Sequence, residues 1–307
     1  MDINNIHDKF VRESFSEAGR AIAFFDKFLP ADLRSKLDLS SLVVLQESYL
    51  TSELKESFSD LIFQIDIKDG VDGKKLELSM LFEHKSKPDK NLAFQVGHYM
   101  FSHWIKRLNN NQDLLPIIPI VYYQGKKKWE IFTLEKLFDK YPKEIKKYLP
   151  SQEYIFLALN TMTEEQLSKV SDVLMRIALI SQKIRFDPIK LATDFAKIFK
   201  IFPAKALEMN FAEIILVYLI QGANIEESEL QESLKSLSKP VKNKLMTLYQ
   251  SIAQNHEKKG IDKGKEEKET EFVLNAFDKG YDLDLINNIT SLSVKRIKEI
   301  LEEHKRM

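Results

Sequence analysis

The chain has 307 residues with 46 acidic and 46 basic side chains, so its formal net charge is zero. This balance excludes nucleic-acid binding driven by bulk charge, and any DNA-binding surface has to come from local basic patches. The absence of cysteine excludes disulfides, thiolate catalysis and zinc–thiolate sites. There is no apolar run of about 18 residues and no signal-peptide pattern at the start. We therefore expect a cytoplasmic protein without membrane contact.

Apolar residues at helical spacing predict an amphipathic helix over residues 8–28, ending before Pro30. A short helical turn at 31–37 and a strand at 42–49 follow. Residues 59–68 and 75–85 then alternate between apolar and polar side chains, and the segment 69–74 between them carries two glycines. These features predict an antiparallel β-hairpin.

The register of this hairpin is predicted by its apolar residues. Centring the turn on residues 71 and 72 places every apolar residue of one strand opposite an apolar residue of the other, which pairs Leu61 with Phe82, Phe63 with Met80, Ile65 with Leu78 and Ile67 with Leu76. The same register places Asp60 opposite Glu83. Lys85 shares that face because strand side chains repeat every two residues.

Two carboxylates and a lysine at the open end of a hairpin have two interpretations. Carboxylate oxygens suit Mg²⁺ or Mn²⁺, which take one or two protein carboxylates alongside phosphate oxygens. A lysine beside the metal can orient the attacking water. The alternative is a solvated strand face with an ordinary Glu–Lys pair.

After the hairpin, the sequence predicts a helix from Leu92 to about Leu108 and a buried strand over residues 116–123. Gln95 falls on the first turn of this helix. His98 and His103 are five residues apart, a spacing that does not suit a metal pair on a helix, so we interpret both as structural. The turn 124–129 carries three lysines, which suit either phosphate contacts or an ordinary exposed turn.

The rest of the chain is predicted to be mainly helical, and no chemical motif stands out in it. Helices are expected at 133–148, 163–181, 188–201, 205–221 and 228–255, with one more strand at 151–159. The predicted parts are a core at 1–160, an α-helical lobe at 161–255 and a C-terminal piece at 256–307. We expect the lobe either to pack on the core or to form a homodimer. The last piece is a charged helix or linker followed by two short helices, the second beginning at Ser293, in a helix-turn-helix outline. Its basic residues Lys295, Arg296 and Lys298 suit DNA contact or protein contact.

The pattern Asp60…Glu83-His84-Lys85 resembles the signature of the PD-(D/E)XK nuclease superfamily. More narrowly, four phrases resemble the recombination-promoting nuclease (YhgA-like transposase) family: SDLIFQI, LFEHKS, AFQVGHY and PIVYYQG. The resemblance covers residues 7–135 well and the remainder loosely.

This resemblance implies an α/β fold with a restriction-endonuclease-like core, a mixed sheet flanked by helices. It implies that Asp60, Glu83 and the carbonyl of His84 bind Mg²⁺ (or Mn²⁺), and that Lys85 and Gln95 complete the catalytic set. Glu17 of the first helix either joins this site, as in some superfamily members, or is an ordinary solvated glutamate.

The function expected from the resemblance is a Mg²⁺-dependent DNA endonuclease linked to recombination or mobile elements. The alternative is a nuclease-like scaffold that binds DNA or a protein partner without cutting.

Overall fold

The computed structural model describes residues 3–45, 58–68, 74–83, 89–129, 131, 133–185, 198, 210–223, 228, 231–232, 234–235 and 239–307. The fold is mixed α/β. Its strands are β1 (Leu37–Leu45), β2 (Phe58–Ile67), β3 (Lys75–Glu83), β4 (Ile117–Tyr123) and β5 (Ile155–Ala158).

The described helices flank this sheet or follow it in the chain. They are α1 (Ile3–Phe15), α2 (Ala18–Phe28), α3 (Ala31–Lys36), α4 (Leu92–Asn109), α5 (Leu134–Leu137), α6 (Lys143–Lys146), α7 (Glu164–Ser168), α8 (Val173–Ile184), α9 (Asn210–Ala223), α10 (Lys239–Asp278), α11 (Leu283–Thr290) and α12 (Val294–Glu303). None of them is long and apolar enough to cross a bilayer, as far as the described residues go.

The five strands form one sheet in the order β1-β2-β3-β4-β5. β2 is antiparallel to its neighbours β1 and β3, whereas β4 lies parallel to β3 and β5 parallel to β4. The connection from β3 to β4 contains α4, because parallel neighbours need a crossover. The start of β2 and the carboxyl ends of β3, β4 and β5 therefore lie at one end of the sheet.

The hairpin of β2 and β3 forms as predicted, but the predicted register is wrong: β3 is shifted by two residues relative to β2. Asp60 pairs with Leu81, and Glu83 pairs with Phe58 instead of Asp60. Leu61 pairs with Met80, so apolar residues still face apolar residues. A shift of two residues leaves every side chain on its original face, and alternation alone therefore does not distinguish the two registers. The turn at 69–73 that sets the register lies outside the described residues.

The two faces of the sheet are covered by different helices. One face buries Phe63 and Met80 against Phe15, Phe24 and Phe25 of α1 and α2. Residues of α7 and α8 contribute to this same cluster, including Leu167, Met175 and Leu179. The opposite face buries a smaller cluster against α4, composed of Ile62, Leu81, Leu92, Val96, Tyr99, Val121, Tyr123 and Trp129.

The helix predicted over residues 8–28 is divided at Ser16 and Glu17. At this break, the buried guanidinium of Arg20 donates hydrogen bonds to the carbonyl of Ser14 at 2.8 Å and to that of Glu13 at 2.8 Å. These carbonyls lie in the last turn of α1, where helix carbonyls need partners from outside the helix. The carbonyl of Glu13 also accepts hydrogen bonds from the amide and the hydroxyl of Ser16. Glu17 bonds to Arg20 at 2.6 Å with its side chain 61% exposed. It belongs to the helices that cover the face opposite Asp60.

By internal contacts, the chain divides into two compact units, Met1–Lys242 and Asn243–Met307. The three-part division at residues 160 and 255 stays a prediction. The segment 256–271, predicted as a charged helix or linker, is helical as part of the 40-residue α10. In the second unit, the two expected short helices are present as α11 and α12. Ser293 caps α12 by accepting a hydrogen bond from the Arg296 amide, as predicted.

Candidate functional site

Asp60 lies near the start of β2, and its side chain is fully buried between the sheet and α4. Tyr99, on the inner face of α4, donates its hydroxyl hydrogen to Oδ2 of Asp60 at 3.2 Å. A buried carboxylate is costly unless its neighbours compensate for the lost water. The hydrogen bond from Tyr99 supplies part of this compensation.

Glu83 is the last residue of β3, and its backbone pairs with Phe58 and Tyr123. Because strand positions alternate, position 83 belongs to the same face as position 60, two residues beyond the partner Leu81. The side chain of Glu83 and the whole of residues 84–88, including His84 and Lys85, lie outside what the structure describes. Among the described residues, no three acidic or histidine side chains form a metal-binding group.

Gln95 occupies the first turn of α4, four residues before Tyr99 and therefore on the same helix face. Its Nε2 donates to Oδ2 of Asp89 at 3.4 Å. Its Oε1 is buried and has no hydrogen-bond partner among the described residues. A buried amide oxygen of this kind favours a donor such as an ammonium group, because an unsatisfied acceptor is costly.

A second buried polar group lies on the same face of the sheet, near the beginning of β3. Glu77 of β3 is fully buried; its Oε1 accepts a hydrogen bond from Nη1 of Arg107 at 2.8 Å. Its Oε2 lies 2.8 Å from Nε2 of His103. Arg107 also donates to the carbonyl of Asp113 at 2.6 Å. His103 is thus part of a buried polar group with Glu77 and Arg107.

The two polar groups set the direction of α4. Tyr99 contacts Asp60 near the carboxyl end of β3, whereas His103, one turn later, contacts Glu77 near the beginning of β3. The helix therefore runs antiparallel to β3. Its first turn, with Gln95, lies toward the end of the sheet where β3 terminates.

Tyr99 is held in its neutral form. Burial raises the pKa of the Tyr99 phenol well above its ordinary value, and the negative charge of Asp60 raises it further. Burial likewise raises the pKa of Tyr122 and of Tyr218. A phenol with a raised pKa in the folded state stabilises the fold fully below the unfolded pKa of about 10. That stability is lost as the pH rises further.

We therefore expect Tyr99, Tyr122 and Tyr218 to ionise only when the protein unfolds. Tyrosinate absorbance and circular dichroism, recorded together against pH, should show at least these three tyrosines titrating in the unfolding step. In Tyr99→Phe, unfolding above about pH 10 should release one proton fewer, so the unfolding free energy should depend less steeply on pH. An unchanged pH dependence in this variant would contradict the assignment of Tyr99 as a buried neutral donor.

Residues 5–210 match the family described as "Putative transposase, YhgA-like". The chain belongs to this YhgA-like family. No solved structure matches it.

Among named relatives of this YhgA-like protein, the recombination-promoting nuclease RpnC of Escherichia coli K12 is 31% identical over 120 residues, which is 39% of each chain. The recombination-promoting nuclease RpnD of Escherichia coli O157:H7 is 25% identical over 138 residues, 43% of this chain and 52% of the relative. These matches span about two fifths to half of the relatives' length. The inactive recombination-promoting nuclease-like protein RpnE of Escherichia coli K12 is 20% identical over 94% of both chains.

The polar role of α4 in the YhgA-like chain was not predicted from the sequence. Tyr99, His103 and Arg107 repeat every four residues, which places them on one helix face. The aromatic ring of Tyr99 fits the apolar spacing that predicts this helix, and its hydroxyl gives no local sign of a carboxylate partner. Glu77 lies on the same strand face as Glu83. Where such a face is buried, a charged residue on it indicates a buried partner, because charged side chains are rarely buried unless they are paired. The identity of that partner, 30 residues away, has no local signal.

Proposed function

We propose that the protein is a Mg²⁺-dependent DNA endonuclease with a PD-(D/E)XK core, which hydrolyses phosphodiester bonds in recombination or in the movement of mobile elements. The observation that carries this proposal is the fully buried carboxylate of Asp60, on the same sheet face as position 83 and at the end where β3 terminates. The similarity to RpnC and RpnD, which are named recombination-promoting nucleases, supports it.

The donor chemistry of this face fits a hard divalent cation. Asp60 supplies carboxylate oxygens, and Glu83 and the carbonyl of His84 would supply oxygens as well. Mg²⁺ bound there polarises a phosphate and lowers the pKa of a coordinated water. Mn²⁺ has the same ligand preference.

The chain's own residues would divide the remaining work. Tyr99 holds Asp60 in one orientation through the hydrogen bond from its hydroxyl. Lys85 would direct the attacking water and balance the charge of the phosphate. Gln95 would orient Lys85, and the buried Oε1 of Gln95, which lacks a partner among the described residues, supports this role.

Purified protein should convert supercoiled plasmid to nicked or linear DNA in Mg²⁺ or Mn²⁺. Ca²⁺ should support DNA binding with little cutting, because its larger and looser coordination shell holds the reacting groups less rigidly. A plasmid-nicking assay with each metal titrated separately makes the measurement. A plasmid that stays intact across Mg²⁺ and Mn²⁺ concentrations would contradict the endonuclease proposal.

A second candidate is a nuclease-like scaffold that binds DNA or a protein without cutting. The match to RpnE favours it, since that relative is named inactive and is matched over 94% of both chains. This candidate predicts a shift in DNA mobility with no change in plasmid topology in any metal.

A further inference from the structure

The turn at residues 124–128, between β4 and Trp129, presents Lys126, Lys127 and Lys128 to solvent, and all three side chains are exposed. We name this segment the lysine turn. A run of three lysines on an irregular surface segment is usually an ordinary solvated loop. Two features distinguish the lysine turn from such a loop: its position in the fold, and the hydrogen bonds and packing that fix its backbone.

The first distinguishing feature is position. Tyr123, the last residue of β4, pairs with Glu83, the last residue of β3. The lysine turn therefore begins at the same end of the sheet as Asp60, two strands away, which is on the order of 10 Å. That separation equals about three base-pair rises along a DNA strand, each about 3.4 Å.

The second feature is that the backbone of the lysine turn is fixed. Nδ2 of Asn160, just after β5, donates to the carbonyl of Gly125 at 2.9 Å and to those of Lys126 and Lys127 at 3.3 Å. Gln124 donates from its Nε2 to Oε1 of Gln182 in α8 at 2.9 Å. Successive residues of the turn are thus tied to two separate elements.

The two ends of the turn are also packed together. The Tyr123 and Trp129 rings lie 4.9 Å apart in an edge-to-face arrangement, and Trp129 is 7% exposed. Gly125 passes over the phenol of Tyr123 so closely that a Cβ there would lie 2.1 Å from its oxygen. Only glycine allows this approach.

These contacts give three cations a fixed origin at the same end of the sheet as the candidate site, on the side of β4 toward β5. A preorganised backbone reduces the ordering cost that binding would otherwise incur. Lysine ammonium groups bind phosphate as point charges, and such contacts supply sequence-independent affinity for DNA. A neutral chain needs a local patch of this kind to bind DNA at all.

We infer that the lysine turn binds the sugar–phosphate backbone of the DNA strand that enters the Asp60 site, with Lys126, Lys127 and Lys128 contacting successive phosphates. The inference rests on the proposed function for its ligand. It adds a substrate-positioning element outside the catalytic set.

The test measures DNA binding separately from cutting. Fluorescence anisotropy with a labelled duplex of about two helical turns is recorded in the Asp60→Asn background, without divalent metal, at several salt concentrations. Replacing Lys126, Lys127 and Lys128 by Ala together should weaken binding at least about 10-fold at moderate salt. The slope of log affinity against log salt should become shallower by up to about 3, since each phosphate contact contributes roughly 0.9.

Lys36, Lys68 and Lys74 provide a matched control. They are exposed lysines at the opposite end of the same sheet, where the backbone amide of Lys68 bonds to the carbonyl of Lys36 at 2.8 Å and that of Ile67 to the carbonyl of Lys74 at 2.9 Å. Replacing these three by Ala removes the same charge and should change affinity less than about 3-fold. Asn160→Ala keeps every lysine but loosens the turn, so affinity should fall a few-fold with the salt slope unchanged.

Parental affinity and salt slope in the lysine-turn variant would overturn the inference, as would equal losses in the control variant. A parent protein that does not bind the duplex would overturn it as well. If the parent binds DNA through these lysines but never nicks plasmid, the endonuclease proposal fails and the lysine turn stands. If the parent nicks plasmid and the lysine-turn variant binds DNA normally, the reverse holds.

Discussion

Asp60→Asn is expected to reduce plasmid nicking by about 1,000-fold or more. Asparagine keeps the shape of the side chain and an oxygen that can accept the Tyr99 hydroxyl hydrogen, but it removes the charge that would bind the cation. A lost metal contribution of several kcal/mol corresponds to this factor, because each 1.4 kcal/mol or so is tenfold in rate. The fold should survive, since a fully buried charge is removed.

Asp66→Asn is the matched control for this experiment. Asp66 lies on the same strand and face as Asp60, but at the other end of β2, where it pairs with Lys75. It should leave nicking and Mn²⁺ affinity at parental levels, whereas Asp60→Asn should weaken both. Lys85→Ala should keep metal affinity and lose turnover, because the lysine acts on the water. Nicking by Asp60→Asn at the parental rate would remove Asp60 from the chemistry and end the endonuclease proposal.

Glu77→Ala is expected to lower the free energy of unfolding by about 3–5 kcal/mol, because it leaves the guanidinium of Arg107 buried without its carboxylate. In a unit of this size the thermal midpoint should fall by roughly 10 °C. Chemical denaturation and thermal melting of the parent and the variant make the measurement.

Two further variants separate a buried ion pair from simple packing loss. Combining Glu77→Gln with Arg107→Met removes both charges and should recover most of the stability. Glu165→Ala breaks the ion pair with Lys169, whose side chains are 76% and 57% exposed, and should cost less than about 1 kcal/mol. Equal losses in Glu77→Ala and Glu165→Ala would show that the buried group does not stabilise the fold.

Much of the sheet was predictable because alternation and apolar runs are local signals. The strand ending at Tyr123, the helix beginning at Leu92 and the placement of Asp60 opposite the Phe63 face were all predicted correctly. The pairing of Asp60 with Leu81 was not, because a shift of two residues preserves every apolar pair.

Contacts between distant residues could not be predicted from the pattern. Arg20 donates hydrogen bonds to the carbonyls of Glu13 and Ser14 where α1 ends. The apolar periodicity of the sequence continues through this break and therefore does not reveal it. Glu77 and Arg107 likewise meet only because α4 crosses back over β3. Such contacts depend on tertiary placement, which overrides local propensity.

The order of strands in the sheet has a consequence for how the protein is made. Each strand from β2 to β5 pairs with the strand that precedes it in the chain, and none is inserted between two earlier ones. As the chain emerges from the ribosome, every new strand meets an edge that has already been synthesised. The newest edge is covered by the next strand, which limits the time during which it can pair with another chain. We expect the sheet to grow in one direction during translation, beginning with β1 and the hairpin of β2 and β3.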